Sequence, residues 1–330
     1  MNREIKIYKT NEISDKMWDQ IVKGFNASFK NHPTTKERLI GDATSNSFGY
    51  SYHAICVEND SVIGFNTIFP NYYIHNGNEK ITLGLNGSTF VLKEYRKDIF
   101  IFHDMYMELK KYCANENIIA FLGVPNLNSY QYSIKFLHCI EVFCLNYYIL
   151  PVKISNILKV RKLSFLNILS ELFSLFLIAG NRLLTHIYNP KENKANYRIE
   201  INDAFLEKRF KDKRYKSISK GDIKFTYVIS DENGIKCAYI MHFGENGIKT
   251  SKSLTLAVSY IFRHEKIDII MFVGTLRINQ SILVKVPNKF QPKKLPFTYT
   301  LLNADHSEKY SDMDNKNILA LRGDLPADPG

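Results

Sequence analysis

Two short stretches hold the residues best able to do chemistry. The first is Glu94-Tyr95-Arg96-Lys97-Asp98, a charged turn between an apolar run and a helical pattern. The second is Gly123-Val124-Pro125-Asn126, which closes another apolar run. A strand that passes through a basic turn straight into a helix gathers free backbone N–H groups, and the helix dipole with a nearby Arg or Lys adds positive potential. That is a cradle for a pyrophosphate, here using Arg96, Lys97 and the amides from Lys97 to Phe100. A plainer role competes with it: an ordinary charged turn in which Asp98 caps the helix. At the second stretch, Asn126 can pin the following turn through its amide. Capping a turn or helix is also the commonest use of Asn in such a place. His103 and Asp104 follow the first turn, where helical packing and surface exposure explain them as well as chemistry does.

These turns need elements to position them. Glu4–Tyr8 reads as a short strand, and Trp18–Phe29 as a helix with Asp15 as its N-cap. A helix-like segment lies near Thr35–Ile40. Tyr50–Glu58, Val62–Tyr73 and Lys80–Val91 read as three antiparallel strands joined by the turns Glu58-Asn59-Asp60 and Asn76-Gly77-Asn78. The period then changes. Ile99–Ala114 is helical, Ile118–Val124 is an apolar strand of the kind buried in a parallel pair, Ser129–Leu137 is a helix, and Glu141–Leu150 is a last strand. If Ile118–Val124 sits beside Lys80–Val91 and diverges from it, a slot opens between the two edges, next to both turns.

Beyond Pro151 comes a hydrophobic helix, Leu163–Tyr188, interrupted by Asn167, Glu171 and Arg182. A spanning helix needs roughly 20 nearly uncharged apolar residues, so packing between two units is the expected role. Lys153, Lys159, Arg161 and Lys162 lie just upstream, and an interfacial membrane helix is the alternative. After a polar linker at Asn189–Tyr197 the first half's outline returns loosely. Asp203–Lys211 reads as a helix, and Lys224–Ser230 with Lys236–Phe243 as a hairpin around Glu232-Asn233-Gly234. Ser253–Glu265 reads as a helix, Ile267–Val273 as an apolar strand, and Leu301–Gly330 as a polar tail with an apolar patch at Ile318–Leu321. The expected organisation is a site-bearing domain at 1–151, a helical connector at 152–195 and a second, plainer α/β domain at 196–330.

Bulk properties agree with a globular chain. It has 330 residues, 45% hydrophobic and 23% charged. The net charge of +11 suits an anionic partner. The basic residues form no long run, and no zinc-finger spacing or aromatic RNA-binding signature is present, so DNA is not an expected partner. Five cysteines without a CxxC, and no readable signal peptide, point to reduced thiols in a cytoplasm. The nine histidines are scattered without ligand spacing, so no metal site is expected.

Element order and both turns resemble the GNAT acyltransferase family, more narrowly its two-domain members associated with bacterial surface-polysaccharide biosynthesis. Phe90-Val91-Leu92-Lys93-Glu94-Tyr95-Arg96 followed by Ile99-Phe100 resembles that group's V-x-P-E-Y-R-G-x-G-I-F signature. Gly123-Val124-Pro125-Asn126-Leu127-Asn128-Ser129-Tyr130 resembles its G-F-P-N-x-x-S-Y signature, and Leu321-Arg322-Gly323-Asp324 its Gly-Asp ending. The match is strongest over about 70 residues of the chain. The signature's proline is Lys93 here, its Gly-x-Gly is the shorter Lys97-Asp98, and the Gly-aromatic pair after the second helix is His138-Cys139.

The resemblance implies a mixed α/β fold: a GNAT-like N-terminal domain, a helical connector and a second, degenerate GNAT-like domain. It implies acetyl-CoA or another acyl-CoA as co-substrate. Phe90 and Val91 would hold the thioester arm, and Arg96, Lys97, Asp98, Ile99 and Phe100 the pyrophosphate. Asn126 would lie along the pantetheine. An acceptor amine or hydroxyl would attack the thioester, an N–H near Val91 would polarise the carbonyl, and Tyr130, with Tyr132 next in order, would protonate the leaving thiolate. The implied acceptor is a sugar or amino sugar, free or nucleotide- or lipid-linked. Two other readings stand beside it: a non-catalytic binding protein on the same fold, and an aminoacyl-tRNA-dependent transferase of the peptidoglycan-bridge type. The strand Leu83–Val91 carries no Glu or Asp that could act as base.

Overall fold

The computed structural model describes residues 3–30, 33–187, 196–244, 250–276, 280–303, 306, 308–310, 312 and 313. The Leu321–Asp324 ending, the apolar patch at Ile318–Leu321 and most of the linker at 189–195 lie outside these residues.

The first half runs β1 (Arg3–Lys9), α1 (Asp15–Ser28), α2 (Lys36–Thr44), β2 (Tyr52–Glu58), β3 (Ser61–His75) and β4 (Glu79–Val91). It continues with α3 (Phe100–Asn115), β5 (Ala120–Gly123), α4 (Leu127–Lys135), β6 (Ile140–Cys144) and β7 (Asn146–Pro151). The connector holds α5 (Ile154–Ile157) and α6 (Phe165–Ile187). Then come β8 (Tyr197–Ile199), α7 (Asp203–Arg209), β9 (Tyr215–Lys220), β10 (Ile223–Glu232), β11 (Ile235–Phe243), α8 (Thr250–His264), β12 (Ile269–Gly274), β13 (Val284–Lys285) and β14 (Pro296–Leu301).

Local chemistry explains the tight connections. Asn59 with Asp60 and Asn233 with Gly234 have positive φ, as two-residue turns between twisted antiparallel strands require, and Asn76 and Gly77 have it in the three-residue connection Asn76-Gly77-Asn78. The cap of α1 is not Asp15: Ser14 sits one residue earlier in extended conformation, and its hydroxyl accepts from Met17 N at 3.4 Å. Asp15 is thereby drawn into the first helical turn, where its charge still suits the dipole. Helix α1 lies so close to the sheet that a Cβ on Gly24 would fall 2.3 Å from the Phe90 ring.

Two sheets result. The first has the order β1-β2-β3-β4-β5-β14-β6, with β8 alongside the far end of β3. The second is β13-β7-β12-β11-β10-β9. Each contains a meander of antiparallel strands, then one parallel pair joined through a helix: β4 and β5 through α3, β11 and β12 through α8. Each then receives a strand from the other half. β14 lies between β5 and β6, and β7 lies between β12 and β13, antiparallel to both neighbours in each case.

The strand expected over Glu141–Leu150 is therefore two strands in different sheets. It breaks at Leu145, whose N–H bonds to Leu295 O at 2.8 Å as the chain leaves one sheet for the other. Residues of the 1–151 and 196–330 segments thus complete one another's sheets. A single apolar layer joins them, with Phe69, Leu83 and Leu122 from the first sheet against Tyr239, Met241 and Met271 from the second. The outer face of the second sheet is covered by α8. α6 packs against β7 and α8 and does not lie between the two sheets.

Candidate functional site

The parallel pairing of β4 with β5 lasts four residues, from Leu83 opposite Ala120 to Asn86 opposite Gly123. β4 then continues to Val91 without β5, because Val124 and Pro125 turn away into α4. An edge of β4 is left beside a gap, as the slot expectation requires. At this point β4 also bulges. Asn66 of β3 faces both Ser88 and Thr89, and Ser88 takes φ +50°. A bulge leaves one residue outside the ladder and re-aims the strand next to it.

The face of the sheet under α3 is mostly apolar and carries two amides beside this gap. Side chains alternate along a strand, so Asn66 shares the face of Ile68, which packs in the core with Met105 and Leu109 of α3. Asn86 shares the face of Gly84, where an added Cβ would meet Ile68 and Phe121. The Thr89 hydroxyl donates to Asn66 Oδ1 at 2.6 Å. Asn66 is fully buried, yet its Nδ2 has no partner among the described residues, and neither has the buried Oδ1 of Asn86. Buried polar atoms are rarely left unpaired. An orphan donor and an orphan acceptor thus lie, sealed from solvent, at the end of the shared strand pair. Thr298 of β14 adds a hydroxyl at the same rim, donating to Gly123 O at 3.3 Å.

The turn after β4 is a short 3₁₀ segment, Lys93–Tyr95, followed by the exposed residues Arg96 and Lys97. Arg96 folds back, its Nε donating to Val91 O at 2.8 Å. Asp98 Oδ1 accepts from Phe100 N at 3.1 Å, and Asp98 Oδ2 takes Arg3 Nη1 at 2.6 Å. Arg3, with the backbone amide of Phe100, holds the Asp98 carboxyl below its ordinary range. Arg3 also lies 3.5 Å from the buried carboxylate of Glu58. The turn thus gathers Lys93, Arg96, Lys97 and Arg3 against Glu94, Asp98 and Glu58, a small positive excess. The amides of Arg96 and Asp98 are used by Lys93 O and Tyr95 O. Those of Lys97 and Ile99 make no such bond among the described residues. For a pyrophosphate, two amides and three exposed cationic side chains are available, but Asp98 occupies the helix terminus with its own charge. The side chains of Ile99 and Phe100 are exposed at this turn. That of Phe90 is buried on the opposite face against Phe25 and Phe65, so only its backbone can serve the gap.

Asn126 caps α4. Its Oδ1 accepts from Ser129 N at 3.0 Å, and its carbonyl accepts from Tyr130 N at 2.8 Å. Tyr130 and Tyr132 point to different sides of α4, as a two-residue separation on a helix dictates. Tyr132 donates its hydroxyl to Ile99 O at 2.5 Å and packs on Phe102, tying α4 to the basic turn. Tyr130 donates to Glu141 on β6. Lys294 lies 5.3 Å from the Tyr130 ring and 4.0 Å from the Glu141 carboxylate. That hydrogen bond to Glu141 raises the Tyr130 pKa, so its phenol keeps its proton at neutral pH. Arg96 is tied back to Val91 and Tyr132 to Ile99, so Tyr132 belongs with the basic turn, while Tyr130 belongs to a cluster on the β6 side of α4.

Sequence reading passed over Asn66, Asn86, Thr89, Glu141 and Lys294. Asn66 in IGFNTIF and Asn86 in LGLNGST were visible as amides inside buried strands. His103 pairs with Asp104 at 3.0 Å on the surface of α3. No group of three or more His, Cys, Asp or Glu side chains able to hold a metal occurs among the described residues.

Comparison with known proteins is consistent with this geometry. No family model and no curated protein sequence matches the chain. Solved structures do match. A conserved protein of unknown function from Enterococcus faecalis V583, described as a probable N-acyltransferase, aligns with a TM-score of 0.58 at 10% identity, over 92% of this chain and 73% of that one. A GCN5-related N-acetyltransferase from Kribbella flavida aligns with a TM-score of 0.58 at 10% identity, over 92% and 72%. Another from Anabaena variabilis gives 0.55 at 9% identity, over 91% and 73%. At such identities the likeness establishes the fold: this chain has the GNAT fold, and the alignment extends over both sheets.

Proposed function

We propose that the protein is an acyl-CoA-dependent acyltransferase, transferring an acyl group, most simply acetyl, to an amine or hydroxyl of a sugar or amino-sugar acceptor. The observation that carries this reading is the divergence of β4 from β5 after Asn86 and Gly123, with Asn66 Nδ2 and Asn86 Oδ1 left unpaired beside it. A pantetheine arm offers amide N–H and C=O groups to such an edge. The pyrophosphate would meet Arg96, Lys97 and the amides of Lys97 and Ile99.

The acceptor's nitrogen or oxygen attacks the thioester carbonyl carbon, the C–S bond breaks, and the acceptor's proton leaves as the thiolate gains one. A backbone N–H of the bulged segment at 88–91 polarises the carbonyl. Tyr130, the proton donor the resemblance implies, sits on the β6 side of α4 and would have to turn its hydroxyl from Glu141 toward the thiolate. Tyr132 holds the basic turn in place. The acceptor and its place in polysaccharide assembly follow from the sequence resemblance and the basic charge.

The test is thiol release from acetyl-CoA in the presence of a panel of sugar nucleotides and amino sugars, with the acylated product identified by mass. Acceptor-dependent release supports the reading; none across the panel counts against it. One observation favours a second reading, a non-catalytic protein on this fold: Asp98 already occupies the N-terminus of α3. Absence of acetyl-CoA binding would favour that reading.

A further inference from the structure

We propose that α6 docks the protein on the surface of an anionic bilayer, lying in the plane of the interface. The proposal does not depend on the acyl-transfer reading.

In a surface helix of a soluble protein the apolar stripe faces inward. In α6 the inward side is only partly apolar, with Ile178 and Leu177 packing on the core shared with α8. The inward stripe is Ser170, Ser174, Ile178 and Asn181, all buried. Its polar members are satisfied by the protein: Ser170 donates to Val152 O at 2.6 Å, Ser174 to Pro151 O at 3.0 Å, and Asn181 to Thr255 Oγ1 at 2.6 Å. The outward side carries Phe165, Ile168, Leu169, Leu172, Phe176 and Leu183, each more than half exposed, with Phe176 at 72%. At 3.6 residues per turn these and their neighbours cover an arc of roughly 160°. The charges of α6, Glu171 and Arg182, project at one edge of that arc and not within it.

The occupant is argued from charge and size. At the N-terminal end of α6 the exposed residues Lys159 and Lys162 alternate with the exposed apolar Leu158, Val160 and Leu163, a combination that suits phosphate headgroups over acyl chains. The whole chain carries +11. A spanning orientation would strip α6 of its hydrogen bonds to Pro151, Val152 and Thr255, so the helix lies on a membrane and does not cross it. A second copy is a poorer occupant. A 23-residue helix is about 35 Å long, and a face roughly 10 Å wide along it falls short of the ~800 Å² per partner of a stable interface.

The test is flotation of the full chain with extruded vesicles of phosphatidylcholine alone or with ~30% phosphatidylglycerol, at low and high salt. The expected result is binding to the anionic vesicles only, weakened by salt. The Leu172→Ser/Phe176→Ser double variant is expected to lose binding at least tenfold, and each of Lys159→Gln and Lys162→Gln about fivefold. All four positions are exposed, so the variants should keep the wild-type denaturation midpoint. A conservative probe guards against misfolding: the indole introduced by Phe176→Trp should be quenched by brominated lipid, while the buried Trp18 is not. Absence of flotation, flotation that the α6 variants leave unchanged, retention after a carbonate wash, or a dimer dissolved by the double variant would each overturn the proposal.

Discussion

Asp98→Asn is the most informative single change in the basic turn. Asp98 offers Oδ1 to the Phe100 amide and Oδ2 to Arg3. Asparagine keeps an oxygen for the Phe100 amide, but it removes the negative charge and the ion pair with Arg3, which keeps Glu58 at 3.5 Å. For a phosphate roughly 6 Å from the carboxylate, the repulsion removed is about 0.7 kcal/mol at the dielectric of water and about 2.8 kcal/mol at an effective value near 20. Asp98 is 37% exposed, which favours the lower half of that range. The expected gain in acetyl-CoA affinity is therefore about three- to tenfold. The stability cost of the lost exposed pair with Arg3 is at most about 1 kcal/mol. Calorimetric titration of acetyl-CoA and of desulfo-CoA into wild type and variant measures the change. The gain should shrink as salt is raised, because the interaction is screened. Unchanged or weaker binding in the variant would refute the idea that a phosphate competes with Asp98 for this helix terminus.

Three further outcomes are expected. Tyr132→Phe removes the bond to Ile99 O and should raise KM for acetyl-CoA several-fold with little effect on kcat, whereas Tyr130→Phe should lower kcat; steady-state kinetics separate the two. Gly24→Ala should destabilise the protein by about 1–3 kcal/mol, read as a lower urea midpoint, because its Cβ would fall 2.3 Å from the Phe90 ring. Burial holds His53 down to about 3 and His242 to about 4. Unfolded histidines take a proton near pH 6.5, so their contribution to stability is present above that value and is lost as pH falls toward 4. The loss is about 1.4 kcal/mol per pH unit for each histidine. Urea midpoints that stay flat between pH 7 and 5 would refute this, and His53→Gln should reduce the slope.

Local elements were legible where the signal is local. The three hairpin turns, the helix α3 and the apolar run before Pro125 follow from turn chemistry and periodicity, and the structure has them, although the buried face of α3 uses Ile101 and leaves Ile99 exposed. The exchange of β7 and β14 was not legible. Nothing in Glu141–Leu150 marks Leu145 as the point where the chain changes sheets, because both sheets need the same aromatic and β-branched side chains. Phe297-Thr298-Tyr299-Thr300 has the composition of a strand, but its position between β5 and β6 is set by partners more than 150 residues away in the chain. At the candidate site, the charged turn and Asn126 were found through their spacing. Asn126 proves to be a helix cap, and the polar pair Asn66 and Asn86 emerges only once β3, β4 and β5 are laid side by side. The outward apolar face of α6 could not be read from composition, since hydrophobic content does not say which side of a helix the protein covers.

The central claim is that acyl-CoA lies along the β4 edge and reaches the turn before α3. Amide hydrogen exchange with and without acetyl-CoA tests it most directly. The account predicts slowed exchange in peptides covering residues 87–91 and 97–100, with the second sheet unaffected. No protection at millimolar acetyl-CoA, or protection confined to β11 and α8, would contradict it.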